Sequence, residues 1–322
     1  VDIHLFLSDW FNTNDVIEVK TSGSTGTPKI IQLKKQYMIN SAKATSTFFN
    51  LFENTTALLC MSAEYIAGKM MLVRAITLGW NLDVVAPSSD VKITKLYDFC
   101  AMVPLQLSNS LKNISKIKKL IVGGGIVSNE LLQKIQNVKT EIFATYGMTE
   151  TITHIALKRL NSTTKKQAYK TLPKVKISQD SRGCLVICSP VTLDKELITN
   201  DLVRLIDENH FEYLGRIDHV INSGGVKIQS EKLEKIVENA LLKLNKNYNF
   251  VIIPLKDAIL GQSVNLIIES EPLVLEFQNS LFKILKTHLS KYEIPKRIFY
   301  FPKFPRTLTN KVDKKKLISF FS

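Results

Sequence analysis

The sequence predicts an α/β protein in two parts, a larger unit built on a mostly parallel sheet and a smaller α+β unit after it. Two observations carry this. In the first two thirds of the 322 residues, short apolar runs alternate with amphipathic helical stretches, the pattern of a parallel sheet covered by helices. Past Gly215-Arg216-Ile217-Asp218 the pattern restarts as a helix, two strands, a helix and a strand. That last stretch of roughly 100 residues is a plausible independent size, so the boundary is drawn at Asp218, giving units 1–217 and 218–322.

Taken in order, Ala57 to Met61, Leu82 to Val85, Lys119 to Val122 and Glu141 to Thr145 are apolar runs suited to buried strands. Ser128 can cap a helix in which Leu131, Leu132, Ile135 and Val138 share a face. Gly183 to Leu214 reads as several strands with turns such as Asp207-Glu208-Asn209, a small β subdomain. Beyond Asp218, Ser230 starts a helix with Leu233, Ile236, Val237, Ala240, Leu241 and Leu244 on one face. Strands at Phe250 to Leu255 and Val264 to Ile268, a helix from about Leu273 to Leu289, and a strand at Arg297 to Phe301 complete the unit.

Composition narrows the function. The apolar stretch Met70 to Pro87 is broken by Arg74 and Asp83, so no membrane span is expected. The start lacks the basic flank of a signal peptide. Cys60, Cys100, Cys184 and Cys188 have no zinc spacing and read as buried thiols of a reducing cytoplasm. A net charge of +14 raises the question of nucleic acid. The surplus divides evenly, +7 on each side of the Asp218 boundary, and no aromatic-basic stacking platform accompanies it. A basic surface that steers small anions fits better.

Five segments and the pair Asp201 and Arg216 bear chemistry. Thr21-Ser22-Gly23-Ser24-Thr25-Gly26-Thr27-Pro28-Lys29 sets hydroxyls, glycines and a lysine between apolar flanks. Glycines turn backbone N–H groups towards an anion, and hydroxyls and lysine add donors; the bland alternative is a surface linker. The Gly-Lys-Ser/Thr ending of the common phosphate loop and the dinucleotide Gly-x-Gly-x-x-Gly are both absent. Gly123-Gly124-Gly125 follows a strand and precedes a capped helix, where α/β sheets bind ligands. Tyr146-Gly147-Met148-Thr149-Glu150-Thr151 opens from the next strand: Tyr146 could stack on a base, Thr149 donate to a phosphate, and Glu150 hold Mg²⁺ or simply be a solvated loop acid. Asp201 and Arg216 offer a carboxylate for ribose hydroxyls and a guanidinium for sugar or phosphate. Finally Ser223-Gly224-Gly225-Val226-Lys227 is a flexible loop past the junction, and Pro305-Arg306-Thr307-Leu308-Thr309-Asn310-Lys311 lies near the end.

In this order the segments, from about Val19 to Lys316, resemble the adenylate-forming superfamily of acyl-CoA synthetases, peptide-synthetase adenylation domains and luciferases. The resemblance implies the layered α/β fold of that family, with a small mobile C-terminal domain. It implies that residues Thr21–Lys29 handle the ATP triphosphate and that the glycine triplet and Tyr146 bracket adenine. Glu150 would bind Mg²⁺, Asp201 and Arg216 would hold ribose and phosphate, and Asp218 would be the hinge. Lys311 would bond the acyl carboxylate and α-phosphate, and Ser223, Gly224 and Gly225 would help form the coenzyme A tunnel.

The Thr21 loop comes some twenty residues into the chain, where relatives have well over a hundred first, so a trimmed N-terminal region is expected. Tyr65-Ile66-Ala67-Gly68-Lys69-Met70-Met71-Leu72-Val73-Arg74 and Thr151-Ile152-Thr153-His154-Ile155-Ala156 resemble short bacterial o-succinylbenzoate–CoA ligases. Such a substrate is a dicarboxylate and needs a cation, with Arg74 and then Lys69 as candidates against a solvent-facing alternative. His154 is placed in the acyl pocket or, more simply, in the core. Asn200 and Asn310 stand where the family has glycine, and Asn tolerates left-handed backbone. A ligase for another carboxylate and a non-catalytic nucleotide-binding relative are the competing readings.

Overall fold

The computed structural model describes residues 2–20, 30–161, 168–192, 195–306 and 312–321. Thr21–Lys29, Asn310 and Lys311 lie outside them. Helix α1 (Asp2–Phe11), strands β1 (Val16–Lys20) and β2 (Ile30–Lys34) and helix α2 (Lys35–Phe49) come first. An alternating series follows: β3 (Thr56–Leu59), α3 (Ile66–Leu78), β4 (Asn81–Val84), β5 (Tyr97–Met102), α4 (Pro104–Asn109), β6 (Ile117–Val122), α5 (Asn129–Ile135) and β7 (Glu141–Gly147). Six strands succeed it: β8 (His154–Arg159), β9 (Tyr169–Thr171), β10 (Lys176–Gln179), β11 (Cys184–Cys188), β12 (Leu197–Asp207) and β13 (His210–Arg216).

Strands β4, β3, β5, β6 and β7 pair in parallel, and β7 pairs antiparallel with β8. Successive residues of the parallel strands enter different cores. Ala57, Leu59, Phe99 and Ala101 meet α2 and α3 through Met38, Ala42, Phe49, Met70 and Val73. Leu58, Cys60, Cys100 and Met102 meet Leu107 of α4 and Leu131 and Ile135 of α5. A period-two strand with apolar residues on both faces must be covered twice, which is why these segments read as continuous apolar runs.

The strands expected as a small β subdomain are instead the antiparallel wing of the same sheet, in the order β7-β8-β9-β13-β12-β11-β10. The joining strand β9 has only three residues, too short to announce itself by periodicity. Helix α5 ends at Ile135, short of Val138, which packs on the core from the following turn. Of the cysteines, Cys60, Cys100 and Cys184 are buried as expected, whereas Cys188 is half-buried.

From Val220 a separate sheet forms: β14 (Val220–Ser223), β15 (Val226–Gln229), β16 (Phe250–Asp257), β17 (Gly261–Glu269) and β18 (Arg297–Phe301), with helices α6 (Ser230–Lys243), α7 (Leu275–Lys286) and α8 (Lys314–Ile318). Helices α6 and α7 cover one face through Leu233, Val237, Leu241, Leu281 and Leu285. Phe304 and Leu317 cover Val251, Ile253 and Ile267 on the other. Among the described residues no helix is long and apolar enough to cross a membrane.

Candidate active site

A cavity of about 270 Å³ opens at the carboxyl ends of the parallel strands. Met61 follows β3, Ala101 to Val103 end β5, Gly123 and Gly124 follow β6, and Thr145, Gly147, Met148 and Thr149 come from β7 and its loop. This is the crevice where open α/β sheets bind ligands. The glycines are there for close approach. A Cβ on Gly123 would stand 2.5 Å from Thr145 Oγ1, and one on Gly147 would stand 2.1 Å from the Thr153 carbonyl oxygen. Gly124 is left-handed at φ 78°, and Gly125 adjoins Pro104. Thr149 and Glu150 begin a single 3₁₀ turn, Thr149–Thr151. Thr149 lines the cavity, while the Glu150 carboxylate is exposed.

Helix α3 supplies the opposite wall through Ile66, Ala67, Met70 and Arg74, a set at helical spacing. Gly68 lets this helix press against the Ser62 carbonyl, where a Cβ would lie 2.1 Å away. Arg74 is 2% exposed. Its Nη1 reaches Met71 Sδ at 3.7 Å, its Cζ lies 5.9 Å from the centre of the Phe99 ring, and its Nε has no partner among the described residues. Burial drags the guanidinium down to about 10. An unpaired cation in a cavity wall is an attractor for an anion.

Lys69 does not join it. Five residues earlier on α3, it faces α1, with Nζ 5.4 Å from the Phe6 ring centre and Asp9, Asp2 and Glu64 as its nearest charges. His154 does line the cavity. It is also a packed residue, with Nε2 3.3 Å from Thr45 Oγ1 and Nδ1 3.3 Å from Thr153 Oγ1. Burial, with Arg74 nearby, holds the imidazole well below its usual range, hence neutral.

A second constellation lies at the end of the antiparallel wing, beside Asp218. Asp201 on β12 and Arg216 on β13 are cross-strand partners, with Nη1 3.5 Å from Oδ1. Tyr146 donates to Asp201 Oδ2 at 2.6 Å, and Arg216 Nη2 donates to Asp218 Oδ2 at 2.7 Å. Asn200 Nδ2 reaches the same Asp218 carboxylate at 3.3 Å. So Tyr146, Asp201, Arg216 and Asp218, scattered in sequence, form one hydrogen-bonded network.

Two readings change here. The Tyr146 ring is packed among Tyr169, Phe211 and Tyr213 and is 8% exposed; burial and Asp201 push its phenol far up. Its hydroxyl therefore orients Asp201 rather than presenting a free stacking face. Asn200 sits in a strand without positive φ, so its side chain, not left-handed tolerance, explains it.

Ser223, Gly224 and Gly225 turn the hairpin between β14 and β15, the glycines at φ 58° and 81°. This is the Gly-Gly pair that a tight primed turn requires. The hairpin packs inside the C-terminal unit, where Gly224 N donates to Leu260 O at 2.9 Å. It does not line the cavity. Met61, Ile121 and Ile152, which do, were invisible in sequence because each looked like core.

The AMP-binding enzyme family matches residues 20–184, just over half of the chain. A solved acyl-CoA synthetase (AMP-forming)/AMP-acid ligase II-like protein from Dyadobacter fermentans is 35% identical, with TM-score 0.65 over 100% of this chain and 94% of that one. The 2-succinylbenzoate–CoA ligase of Staphylococcus epidermidis is 23% identical over 96% of this chain and 71% of its own length. The o-succinylbenzoate coenzyme A synthetase of Bacillus subtilis, solved with ATP and magnesium ion, has TM-score 0.76 at 22% identity, covering 94% of this chain and 69% of that one. The family match over more than half of the chain and the 35% identical relative show that the chain belongs to the AMP-binding enzyme family of adenylate-forming ligases.

Proposed function

We propose that the protein activates o-succinylbenzoate with ATP and transfers the acyl group to coenzyme A, acting in the cytoplasm on small molecules. The observation that carries the substrate class is Arg74, a buried cation in the wall of the cavity that has no anionic partner among the described residues. A substrate that carries a second carboxylate neutralises it, whereas a fatty or simple aromatic acid leaves it bare. The Staphylococcus and Bacillus relatives support the same substrate by their names.

In this reading residues 1–217 bind ATP and acid and residues 218–322 form a lid. Thr21, Ser22, Gly23, Ser24, Thr25, Gly26 and Lys29 receive the triphosphate. The glycine turn, Gly147 and Thr149 bound the nucleotide at the sheet ends, and Asp201 with Arg216 holds the ribose, oriented by Tyr146. The acid's reacting carboxylate oxygen attacks the α-phosphorus as the bond to pyrophosphate breaks, and Lys311 balances the charge that develops there. The thiol of coenzyme A then attacks the acyl carbon and AMP leaves. Glu150, an exposed hard carboxylate next to Thr149, would hold Mg²⁺ together with phosphate oxygens. Among the described residues no group of three or more His, Cys, Asp or Glu side chains could hold a metal ion by itself. When bound, Mg²⁺ supplies positive charge to the leaving pyrophosphate.

The test is thioester formation from o-succinylbenzoate, ATP and coenzyme A, beside benzoate and a fatty acid. Arg74→Gln should lose preference for the dicarboxylate, and Lys311→Ala should lose acyl-adenylate formation by about 100-fold or more. Thioester from the monoacids alone sinks the substrate assignment. ATP binding without any acyl-adenylate would mean a non-catalytic relative.

A further inference from the structure

Helix α6 grips the large unit with two carboxylates two turns apart. Glu231 Oε1 accepts the backbone N–H of Arg216 at 3.3 Å and lies 2.5 Å from His219 Nδ1. Its Oε2 fills the space a side chain at residue 215 would take, 2.5 Å from a Cβ built on Gly215. Seven residues on, Glu238 Oε1 accepts the backbone N–H of Asn129 at 3.0 Å. That is the residue with which α5 begins, just past the glycine turn. Asn239 Oδ1 takes the Asn129 side-chain amide at 3.0 Å, and Asn247 reaches Glu130 at 3.3 Å. Residues 231 and 238 share a helix face, so one rigid element spans from the Asp201–Arg216 pair to the glycine turn.

The same helix faces inward too. Glu234 accepts the Ile252 N–H at 3.3 Å and Lys314 Nζ at 2.7 Å. Lys314 stands three residues after Lys311 in sequence. We propose that Glu231 and Glu238 are positioning residues: they latch the C-terminal unit in this orientation, while Glu234 bonds Lys314 within that unit. The latch crosses Asp218, because Arg216 lies before it and Glu231 after it. Reorientation about Asp218 must therefore break the Glu231–Arg216 bond while the Glu231–His219 pair, wholly on one side, can persist. The consequence for the two half-reactions rests on the proposed function; the latch itself does not.

The experiment uses the full chain carrying Glu231→Ala with Glu238→Ala, and separately Glu231→Gln with Glu238→Gln. Gln keeps a carbonyl acceptor but removes the charge. Three readouts are taken: amide exchange at Arg216 and Asn129, small-angle scattering, and the ratio of thioester formation to acyl-adenylate formation. The Ala pair should speed exchange at both amides about tenfold or more, change the scattering profile, and move the ratio, with exchange in β16 and β17 unchanged. The Gln pair should shift the same amides less and serves as the variant if the Ala pair does not fold. Wild-type exchange and scattering in either folded pair would overturn the latch. Should o-succinylbenzoate prove no substrate, the functional reading fails, and exchange and scattering still decide the latch.

Discussion

Replacing Arg74 by methionine should make the free protein more stable and useless for a dicarboxylate. At neutral pH the guanidinium is charged whether the chain is folded or not. Its fall from 12.5 towards about 10 in the folded state reflects what burial costs, on the order of 3–4 kcal/mol at ~1.4 kcal/mol per unit. That cost holds at every pH below about 10. Contact with the Phe99 ring and Met71 Sδ offsets part of it, and Met fills nearly the same length without a charge. A net gain of about 1–2 kcal/mol remains, or roughly 2–6 °C in melting temperature. The assay is differential scanning calorimetry of both proteins with and without o-succinylbenzoate. The acid at a hundred times its dissociation constant should add about 2.7 kcal/mol to wild type and little to Arg74→Met. A variant less stable than wild type, or one that the acid stabilises equally, would refute the claim that Arg74 waits for an anion.

Three other outcomes are expected. Tyr146→Phe removes the hydroxyl that reaches buried Asp201 at 2.6 Å; it should cost about 1–3 kcal/mol in urea unfolding and raise KM for ATP more than for the acid. Gly147→Ala places a Cβ 2.1 Å from the Thr153 carbonyl, so the loop with Thr149 and Glu150 must move; about 1–3 kcal/mol of stability should go, with a larger fall in acyl-adenylate formation than in ATP binding by calorimetry. His154 has a folded-state pKa well below 6.5, so below 6.5 the unfolded chain binds the proton and the folded one does not. Stability should then fall as pH drops from about 6.5 towards the folded value, by at most ~1.4 kcal/mol per unit, and His154→Gln should flatten that part of the curve.

Much of this was readable because it is local. Apolar runs mark β3, β4, β6 and β7, while β5 (Tyr97–Met102) carried no such expectation; a strand followed by Gly123-Gly124-Gly125 or Gly147 marks the crevice, since strand ends and tight turns depend on neighbours in sequence. Chemistry alone makes Arg74 a candidate, and its burial rules out the solvent-facing alternative. Lys69 was misplaced because two cations five residues apart on a helix face different ways, one to the cavity and one to α1. The continuity of the sheet was hidden in β9, three residues that pair only because β8 and β13 flank them.

Sequence by itself determined the family: hydroxyls, glycines and lysine in Thr21–Lys29, a carboxylate at Glu150 and the lysine at 311 stand in the order that the family resemblance rests on, along an α/β chain. Only the tertiary structure decided what each side chain meets. It set the Tyr146 hydroxyl on Asp201 and Arg216 between Asp201 and Asp218. It left Arg74 Nε without a hydrogen-bond partner among the described residues. The physical reason is range. Backbone turns and strand periodicity are settled within a few residues, whereas the pairing of buried charges depends on which distant elements the sheet brings within about 4 Å.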